Sequence, residues 1–217
     1  MSDRLPLPPR DAPYPAGATA LLLVDMQRIW LEPGRNPRHP DWDAGHYFYR
    51  EVSTRAVPNQ CLLVEAARAS GVEVIHTIIR SMTRDGRDRS LDHKLTPIHV
   101  SPDDPFGRSV PELAPAADES VLPKTSSGVF NSTNIDYVLR NLGVTHLVVA
   151  GIMTDQCVDM AVRAAADRGF YVTCAGDACA ATTPERHANA LTAFGGYCWL
   201  TETATIVSRF RAIGAAQ

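Results

Sequence analysis

The sequence predicts a single α/β domain with three layers, in which helices cover both faces of a doubly wound, mainly parallel sheet. Short, continuously apolar runs recur along the chain, as expected for strands buried on both faces of a parallel sheet. Stretches with helical periodicity lie between these runs, so that strand and helix alternate about five or six times without an internal repeat or a linker. A chain of 217 residues is long enough for one such domain.

Composition and charge exclude several classes of protein. A net charge of −3 gives no basis for binding nucleic acid or an anionic membrane, and 45% apolar residues are typical of a folded domain. No apolar run approaches the roughly 20 residues that span a bilayer, and the N-terminus lacks the apolar core of a signal peptide. The five cysteines are odd in number and form no CxxC pair, which predicts reduced thiols in the cytoplasm.

The first elements place an acid at the end of a buried strand. Residues 1–17, rich in Pro and charge, predict an N-terminal arm ahead of a domain over 18–217. A strand over 19–26 follows, with Asp25 near its carboxyl end. The carboxyl ends of parallel strands border the ligand crevice of such folds. Asp25 is therefore a catalytic group, a helix cap or an ion-pair partner.

Two long connections and a second strand come next. The connection 28–56 contains aromatic residues, among them Trp30 and Trp42, which either line a pocket or pack the loop onto the body or onto a partner subunit. A helix over 57–70 and a strand over 73–79 complete a βαβ unit with parallel strands. The polar connection 81–105 predicts a mobile surface loop over the crevice, with its mixed charges either solvated or gripping a substrate.

The remaining elements continue the alternation. A strand over 120–124 ends in Lys124, which is either a crevice residue or an ordinary surface lysine. A tight polar loop over 125–131 and a helix to about residue 142 follow. After residue 168 the sequence predicts the elements of the C-terminal part: a strand over 171–175, a loop over 177–182, a helix over 184–194 that Thr183 caps, and a last strand over 203–207.

Cys157 lies at a strand-to-helix corner. The apolar run 146–150 predicts a buried strand, Gly151 interrupts it, and Thr154 or Asp155 is a suitable cap for the following helix. Cys157 then falls in the first helical turn, where unpaired N–H groups and the helix dipole lower the pKa of a thiol and can bind an oxyanion. The alternative is that Cys157 is a small buried apolar residue, as most free cysteines are.

Three segments resemble the motifs of the isochorismatase-like cysteine hydrolase superfamily: Leu-Leu-Leu-Val-Asp-Met-Gln (21–27), Leu-Pro-Lys-Thr-Ser-Ser-Gly-Val-Phe (122–130) and Val-Ala-Gly-Ile-Met-Thr-Asp-Gln-Cys-Val (149–158). Their order and spacing agree with that family over residues 18–208. The resemblance implies a catalytic triad of Asp25, Lys124 and Cys157. It also implies a cis peptide bond between Ile152 and Met153, and an oxyanion hole formed by the N–H groups of Met153 and Cys157.

The resemblance is strongest to the amidases of linear ureides and carbamoyl compounds, the N-carbamoylsarcosine, ureidoacrylate, biuret and triuret hydrolases. True isochorismatases lack the nucleophilic cysteine. Nicotinamidases carry an Asp-His-His metal cluster, whose spacing is not found at His39, His46 or His76, so we expect neither metal nor cofactor. An amidase of nicotinamide-like or maleamate-like substrates and a catalytically silent scaffold protein remain as alternatives.

The expected partner is a small amide or ureide, and the family resemblance implies a homodimer or homotetramer. A flat, polar substrate needs several hydrogen-bond donors and a pocket wall. The candidates for substrate binding are Gln27, Trp30, Arg80, Arg84, Lys94, Phe130 and Asn131.

Overall fold

The computed structural model describes residues 7–215, and these contain a six-stranded sheet in which all neighbouring strands are parallel. The strand order is β3-β2-β1-β4-β5-β6, so the chain moves outward from the centre twice and the topological switch point lies between β1 and β4. The prediction of a doubly wound parallel sheet is confirmed. The strands are β1 (Thr19–Val24), β2 (Glu73–Ile79), β3 (Ser120–Lys124), β4 (His146–Ile152), β5 (Tyr171–Ala180) and β6 (Trp199–Thr201).

Helices connect the strands and flank the sheet. The α-helices are α1 (Arg28–Leu31), α2 (Tyr47–Glu51), α3 (Val57–Ala69), α4 (Leu91–Leu95), α5 (Val129–Ser132), α6 (Ile135–Asn141), α7 (Asp159–Asp167), α8 (Pro184–Phe194) and α9 (Thr203–Gly214). A π-helical turn over Val52–Ala56 joins α2 to α3, a second one over Thr154–Val158 leads into α7, and Pro111–Leu113 forms a 3₁₀ turn. None of the helices in the described range is long and apolar enough to cross a membrane.

The two central strands approach each other closely at their carboxyl ends. Every residue of β1 is buried, because β1 is paired on both edges and covered on both faces. Gly151 in β4 has φ +134°, and a Cβ atom there would lie 2.3 Å from the carbonyl oxygen of Val24. Only glycine allows this approach. The close approach brings the residues that follow β1 and β4 together at the topological switch point.

Several predicted elements differ from the structure. Residues 203–207 begin helix α9 and are not a strand, because Ile206, Phe210 and Ile213 recur at helical spacing and bury one face, which overrides the β preference of Thr and Val. The last strand is instead Trp199–Thr201. Strand β5 continues to Ala180 through a bulge, where a loop was expected, since helix α3 and the turn before it supply hydrogen bonds to the bulge carbonyls.

The long connections also contain more helix than predicted. Within 28–56, helix α2 and the π turn bury Phe48, Tyr49 and Val52 in the core. Helix α4 lies within 81–105, and α5 begins inside the expected loop 125–131. Helices this short are decided by tertiary contacts, which local periodicity does not reveal.

The part of the N-terminal arm that the structure describes packs on the body of the same chain. Tyr14 is buried, packs against Phe210 of α9 and donates a hydrogen bond from its hydroxyl to Thr173 Oγ1 at 3.1 Å. Arg209 donates to the carbonyl oxygens of Asp11 and Ala12. Residues 1–6 of the arm and 216–217 of the predicted domain lie outside the described residues.

Candidate active site

Asp25, Lys124 and Cys157 meet at the switch point, each delivered by the carboxyl end of a different strand. Lys124 ends β3, Asp25 follows β1, and Cys157 lies in the turn after β4. The Nζ atom of Lys124 lies 2.8 Å from Asp25 Oδ2 and 3.3 Å from Cys157 Sγ. The chain leaves β1 through a left-handed conformation at Asp25, φ +58°, which turns the carboxylate towards the other two side chains.

Lys124 is fully buried, and its ammonium group has three close partners. Besides the carboxylate and the sulfur, the ammonium donates to the carbonyl oxygen of Ser126 at 3.0 Å. Burial alone lowers the pKa of Lys124, but the carboxylate of Asp25 and the adjacent Cys157 raise it, and the net pKa lies above its usual value. Lys124 is therefore a permanently charged ammonium, and the alternative of a surface lysine is wrong.

Asp25 is held by β2 as well as by Lys124. The hydroxyl of Thr77 donates to Asp25 Oδ1 at 3.0 Å, and the Asp25 N–H donates to the Thr77 carbonyl at 3.1 Å. The Asp25 side chain is 2% exposed. Its carboxylate is thus oriented from two sides, with Lys124 as its counter-ion.

The expectation that the helix N-terminus lowers the pKa of Cys157 is wrong. Burial raises the pKa of Cys157 to about 12, Lys124 opposes this effect, and the charge of Asp25 adds to it. Cys157 is therefore a neutral thiol at physiological pH.

The turn that carries Cys157 starts with unusual backbone geometry. The peptide bond between Ile152 and Met153 is cis, and the π turn Thr154–Val158 follows. Met153, and not Thr154 or Asp155 as predicted, occupies the N-cap position, and no side chain caps the turn. Thr154 is instead buried, with its hydroxyl 2.8 Å from Nδ1 of His187 on α8. The Met153 N–H donates none of the backbone hydrogen bonds found among the described residues.

A cavity of about 180 Å³ opens above Cys157 and Asp25. Its walls combine apolar side chains with polar and cationic ones. The apolar lining is Trp30, Trp42, Ile79, Ile98, Ile152 and Met153, and the polar lining is Asn36, Arg38, His39, Gln156, Thr182 and Arg186. The ring of Trp42 stacks between His39 and His46, with both centroid separations 3.7 Å. Trp30 and Trp42 thus belong to the pocket, whereas Phe48 and Tyr49 pack in the core.

Of the predicted substrate-binding residues, Trp30 alone lines this cavity. Gln27 is fully buried and uses its whole side-chain amide within the protein: it donates to the carbonyl oxygens of Ile79 and Gly107, and it accepts from the N–H groups of Ile79 and Trp30. No hydrogen-bonding capacity remains for a substrate. Gln27 therefore fixes the start of the 28–56 connection.

The other five candidates lie elsewhere. Arg84 is exposed and paired with Asp103, and Lys94 and Asn131 are exposed. Phe130 is buried beside Phe170, with Arg168 over its ring, and is not a wall of the pocket. Arg80 is half-buried beyond β2 and does not line the cavity.

Sequence reasoning missed most of the polar lining. Thr182 and Arg186 follow β5, and residues that follow the carboxyl ends of parallel strands border the ligand crevice. The same reasoning that selected Asp25 would have selected them if the full length of β5 had been recognised. Gln156 precedes Cys157 in the same turn. Arg38 and Asn36 lie in an irregular stretch with no periodicity, and no sequence signal places them at the site. Within 7–215, no three or more His, Cys, Asp or Glu side chains are grouped to hold a metal ion.

A buried thiol, an ammonium and a carboxylate brought together at the switch point are groups of the kinds that take part in nucleophilic catalysis. The isochorismatase domain family matches residues 19–205, so the chain belongs to the isochorismatase family and is a hydrolase of that family. This confirms the resemblance seen in the sequence.

The relatives divide by function. A protein named a probable inactive nicotinamidase from Arabidopsis thaliana is 34% identical over 176 residues, which cover 78% of this chain and 84% of the relative. The N-carbamoylsarcosine amidase of an Arthrobacter species is 28% identical, with 70% and 55% covered. The ureidoacrylate amidohydrolase RutB of Serratia proteamaculans is also 28% identical, with 77% and 70% covered.

A solved structure extends the similarity to the whole fold. The crystal structure of a cysteine hydrolase from Pseudomonas syringae pv. phaseolicola superposes with a TM-score of 0.81 at 25% identity and covers 96% of this chain and 100% of that one.

Proposed function

We propose that this protein is a cysteine-dependent amidohydrolase that cleaves a C–N bond of a small linear ureide or carbamoyl amide. The observation that carries the proposal is the simultaneous contact of Lys124 Nζ with Asp25 and Cys157 beneath the cavity. A buried ion pair is costly to maintain, and a thiol in contact with its ammonium is an arrangement typical of functional sites. The relatives that are named amidases support the choice of reaction.

The reaction runs through a covalent intermediate. Asp25 accepts the proton of Cys157 as the sulfur attacks the carbonyl carbon, and the oxyanion accepts hydrogen bonds from the N–H groups of Met153 and Cys157. Asp25 returns the proton to the nitrogen of the breaking C–N bond, and ammonia or an amine leaves. A ureide then remains on sulfur as a thiocarbamate, and a simple amide as a thioester.

Water completes the cycle. Asp25, ionised again, takes a proton from a water molecule that attacks the intermediate. The S–C bond breaks, Cys157 regains the proton, and a carbamic or carboxylic acid is released. Lys124 stays protonated throughout. Its charge offsets the negative charge that passes between the sulfur and the carboxylate, which is how a thiol with a pKa of about 12 becomes a nucleophile.

The cavity favours a substrate with an anionic group at its other end. Arg38 and Arg186 both line the cavity; Arg186 is paired with Asp155, whereas Arg38 forms no ion pair with an acidic side chain among the described residues and is free to bind an anion. Guanidinium groups bind carboxylates in bidentate geometry. A ureido or carbamoyl acid therefore fits this cavity better than neutral biuret or triuret, and Trp30 and Trp42 offer flat faces for a planar ureido group.

A catalytically silent protein is the second candidate, because one relative is named a probable inactive nicotinamidase. Intact contacts among Asp25, Lys124 and Cys157 oppose this candidate. An amidase of nicotinamide-like or maleamate-like substrates would use the same three residues, and a substrate panel distinguishes it.

The test is ammonia release from a panel of N-carbamoyl amino acids, ureidoacrylate, biuret, triuret, maleamate and nicotinamide. The native protein is compared with Cys157→Ser, and Cys61→Ser, on helix α3, is the matched control. We expect turnover of a ureido or carbamoyl acid that is lost in Cys157→Ser and kept in Cys61→Ser. Turnover of nicotinamide or maleamate would refute the ureide assignment, and no turnover of any compound would favour the silent candidate.

We further propose that the protein is a homodimer or homotetramer in the cytoplasm. Met82, Leu91 and Leu95, all in the 81–105 connection, are 74%, 71% and 75% exposed in the single chain. Large apolar side chains as exposed as these commonly become buried in an assembly. Light scattering should give a multiple of the 23.6 kDa chain mass, and the mass of one chain would contradict the proposal.

A further inference from the structure

Helix α4, in the connection between β2 and β3, is anchored to the loop that follows Lys124. The Ser90 N–H, at the N-cap of α4, donates to the carbonyl oxygen of Thr125 at 2.9 Å. One turn later, Nε2 of His93 lies 3.2 Å from Ser127 Oγ. The two contacts enclose Ser126, whose carbonyl accepts a hydrogen bond from Lys124.

His93 is buried without any role in the chemistry described above. Its side chain is fully inaccessible, and its Nδ1 atom has no hydrogen-bond partner among the described residues. A histidine can be kept in such a position only as the neutral imidazole. Burial, followed by the nearby charge of Lys124, lowers the pKa of His93 to about 4, so the ring is uncharged at neutral pH.

Helix α4 is itself fixed from its outer side. Arg89 donates from Nη1 to the carbonyl oxygens of His93 and Ile98, and from Nε to that of Gly86. A side chain that bonds three carbonyls braces the ends of a five-residue helix that could not persist alone. This part of the 81–105 connection, predicted as a loop, is therefore a short helix held in place by side-chain hydrogen bonds.

We propose that His93 is a positioning residue for Lys124, and that it acts through Ser127 to hold the Ser126 carbonyl where the ammonium needs its third acceptor. If that carbonyl moves, the Lys124 ammonium follows it or finds another partner, and the contact of 3.3 Å between Nζ and Sγ lengthens. The Cys157 thiolate then loses stabilisation. The role of Lys124 in turnover rests on the proposed function, but its effect on the ionisation of Cys157 does not.

The experiment measures alkylation of Cys157 by iodoacetamide at pH 9, followed by mass spectrometry of the peptide that contains Cys157. The rate is proportional to the thiolate fraction and requires no amide substrate. His93→Phe and Ser127→Ala should each slow alkylation about tenfold, the equivalent of one pKa unit. The double variant should be no slower than either single variant, because both remove one interaction. His93→Gln, which keeps an N–H donor, should restore most of the native rate.

Three results would overturn the proposal. The first is a native alkylation rate in His93→Phe or, if that variant does not fold, in Ser127→Ala. The second is an additive loss in the double variant, which would show that the two residues act independently. The third is an equal loss in His146→Asn, a control at the amino end of β4. If an amide substrate is turned over, kcat should fall in His93→Phe while KM is unchanged; if none is, the alkylation rates still decide.

Discussion

Replacement of Lys124 by methionine should destabilise the protein strongly, because it leaves the carboxylate of Asp25 buried without its counter-ion. The two side chains are 0% and 2% exposed, and the charged atoms lie 2.8 Å apart. With an effective dielectric constant near 20, charges at this separation attract each other by about 6 kcal/mol. Loss of one partner of a buried pair costs about 3–5 kcal/mol after the protein relaxes. We expect Lys124→Met to lower the free energy of unfolding by that amount.

The assay is urea unfolding at pH 7 of four proteins: the native chain, Lys124→Met, Asp25→Asn and the double variant. Because the double variant contains neither charge, it should be more stable than the sum of the single losses predicts, with a coupling of about 2 kcal/mol or more. Arg84→Met is the matched control, since the pair of Arg84 and Asp103 is 85% and 64% exposed and contributes less than about 1 kcal/mol. Equal losses in Lys124→Met and Arg84→Met, or strict additivity in the cycle, would refute the reasoning.

Three further predictions concern the scaffold around the site. Gly151→Ala should lower the free energy of unfolding by about 3 kcal/mol or more, because the new Cβ meets backbone atoms of β1. Gly143→Ala, with open space around residue 143, should lower it by about 1 kcal/mol. Thermal unfolding of both variants measures the difference. Gln27→Leu should cost about 3 kcal/mol in urea unfolding, since it orphans buried backbone groups of two segments, and a loss under 1 kcal/mol would contradict the structural role given to Gln27. The hydrogen bonds from Arg68 lower the pKa of Glu119 from 4.5 to about 2. The ionised Glu119 therefore contributes fully to stability above pH 4.5, and this contribution disappears as the pH falls towards 2. Glu119→Gln should make the loss of stability over this pH range less steep, and an unchanged dependence of stability on pH would contradict the role given to Glu119.

The fold and the meeting of Asp25, Lys124 and Cys157 were predictable because both depend on short-range patterns. Continuous apolar runs located β1, β2 and β4, and the rule that parallel strands deliver ligand groups at their carboxyl ends then selected Asp25, Lys124 and Cys157. The wrong prediction of a strand at 203–207 also came from a short-range pattern. Local β preference was considered there without the buried helical face that Ile206 and Phe210 complete.

The pocket walls were not predictable because they come from connections that meet only in the folded chain. Arg38 and Arg186 are about 150 residues apart in sequence, yet both line one cavity, and no local pattern relates them. Gln27, in contrast, was wrongly included among the substrate-binding residues. Its place close to Asp25 in the sequence suggested contact with a substrate, but four hydrogen bonds inside the protein occupy its amide. The pKa of Cys157 was predicted in the wrong direction for a related reason, because burial outweighs the helix terminus.

The central claim is that Cys157 forms a covalent bond to the carbonyl carbon of an amide or ureide. The most direct measurement is acid quenching of the native protein during turnover of a ureido or carbamoyl acid, with intact mass and peptide mapping of the product. The account predicts that the peptide carrying Cys157 gains the mass of the substrate less its leaving ammonia or amine, and that the gain is absent in Cys157→Ala, which is inactive. Full turnover by Cys157→Ala, with no adduct on the native protein, would contradict it.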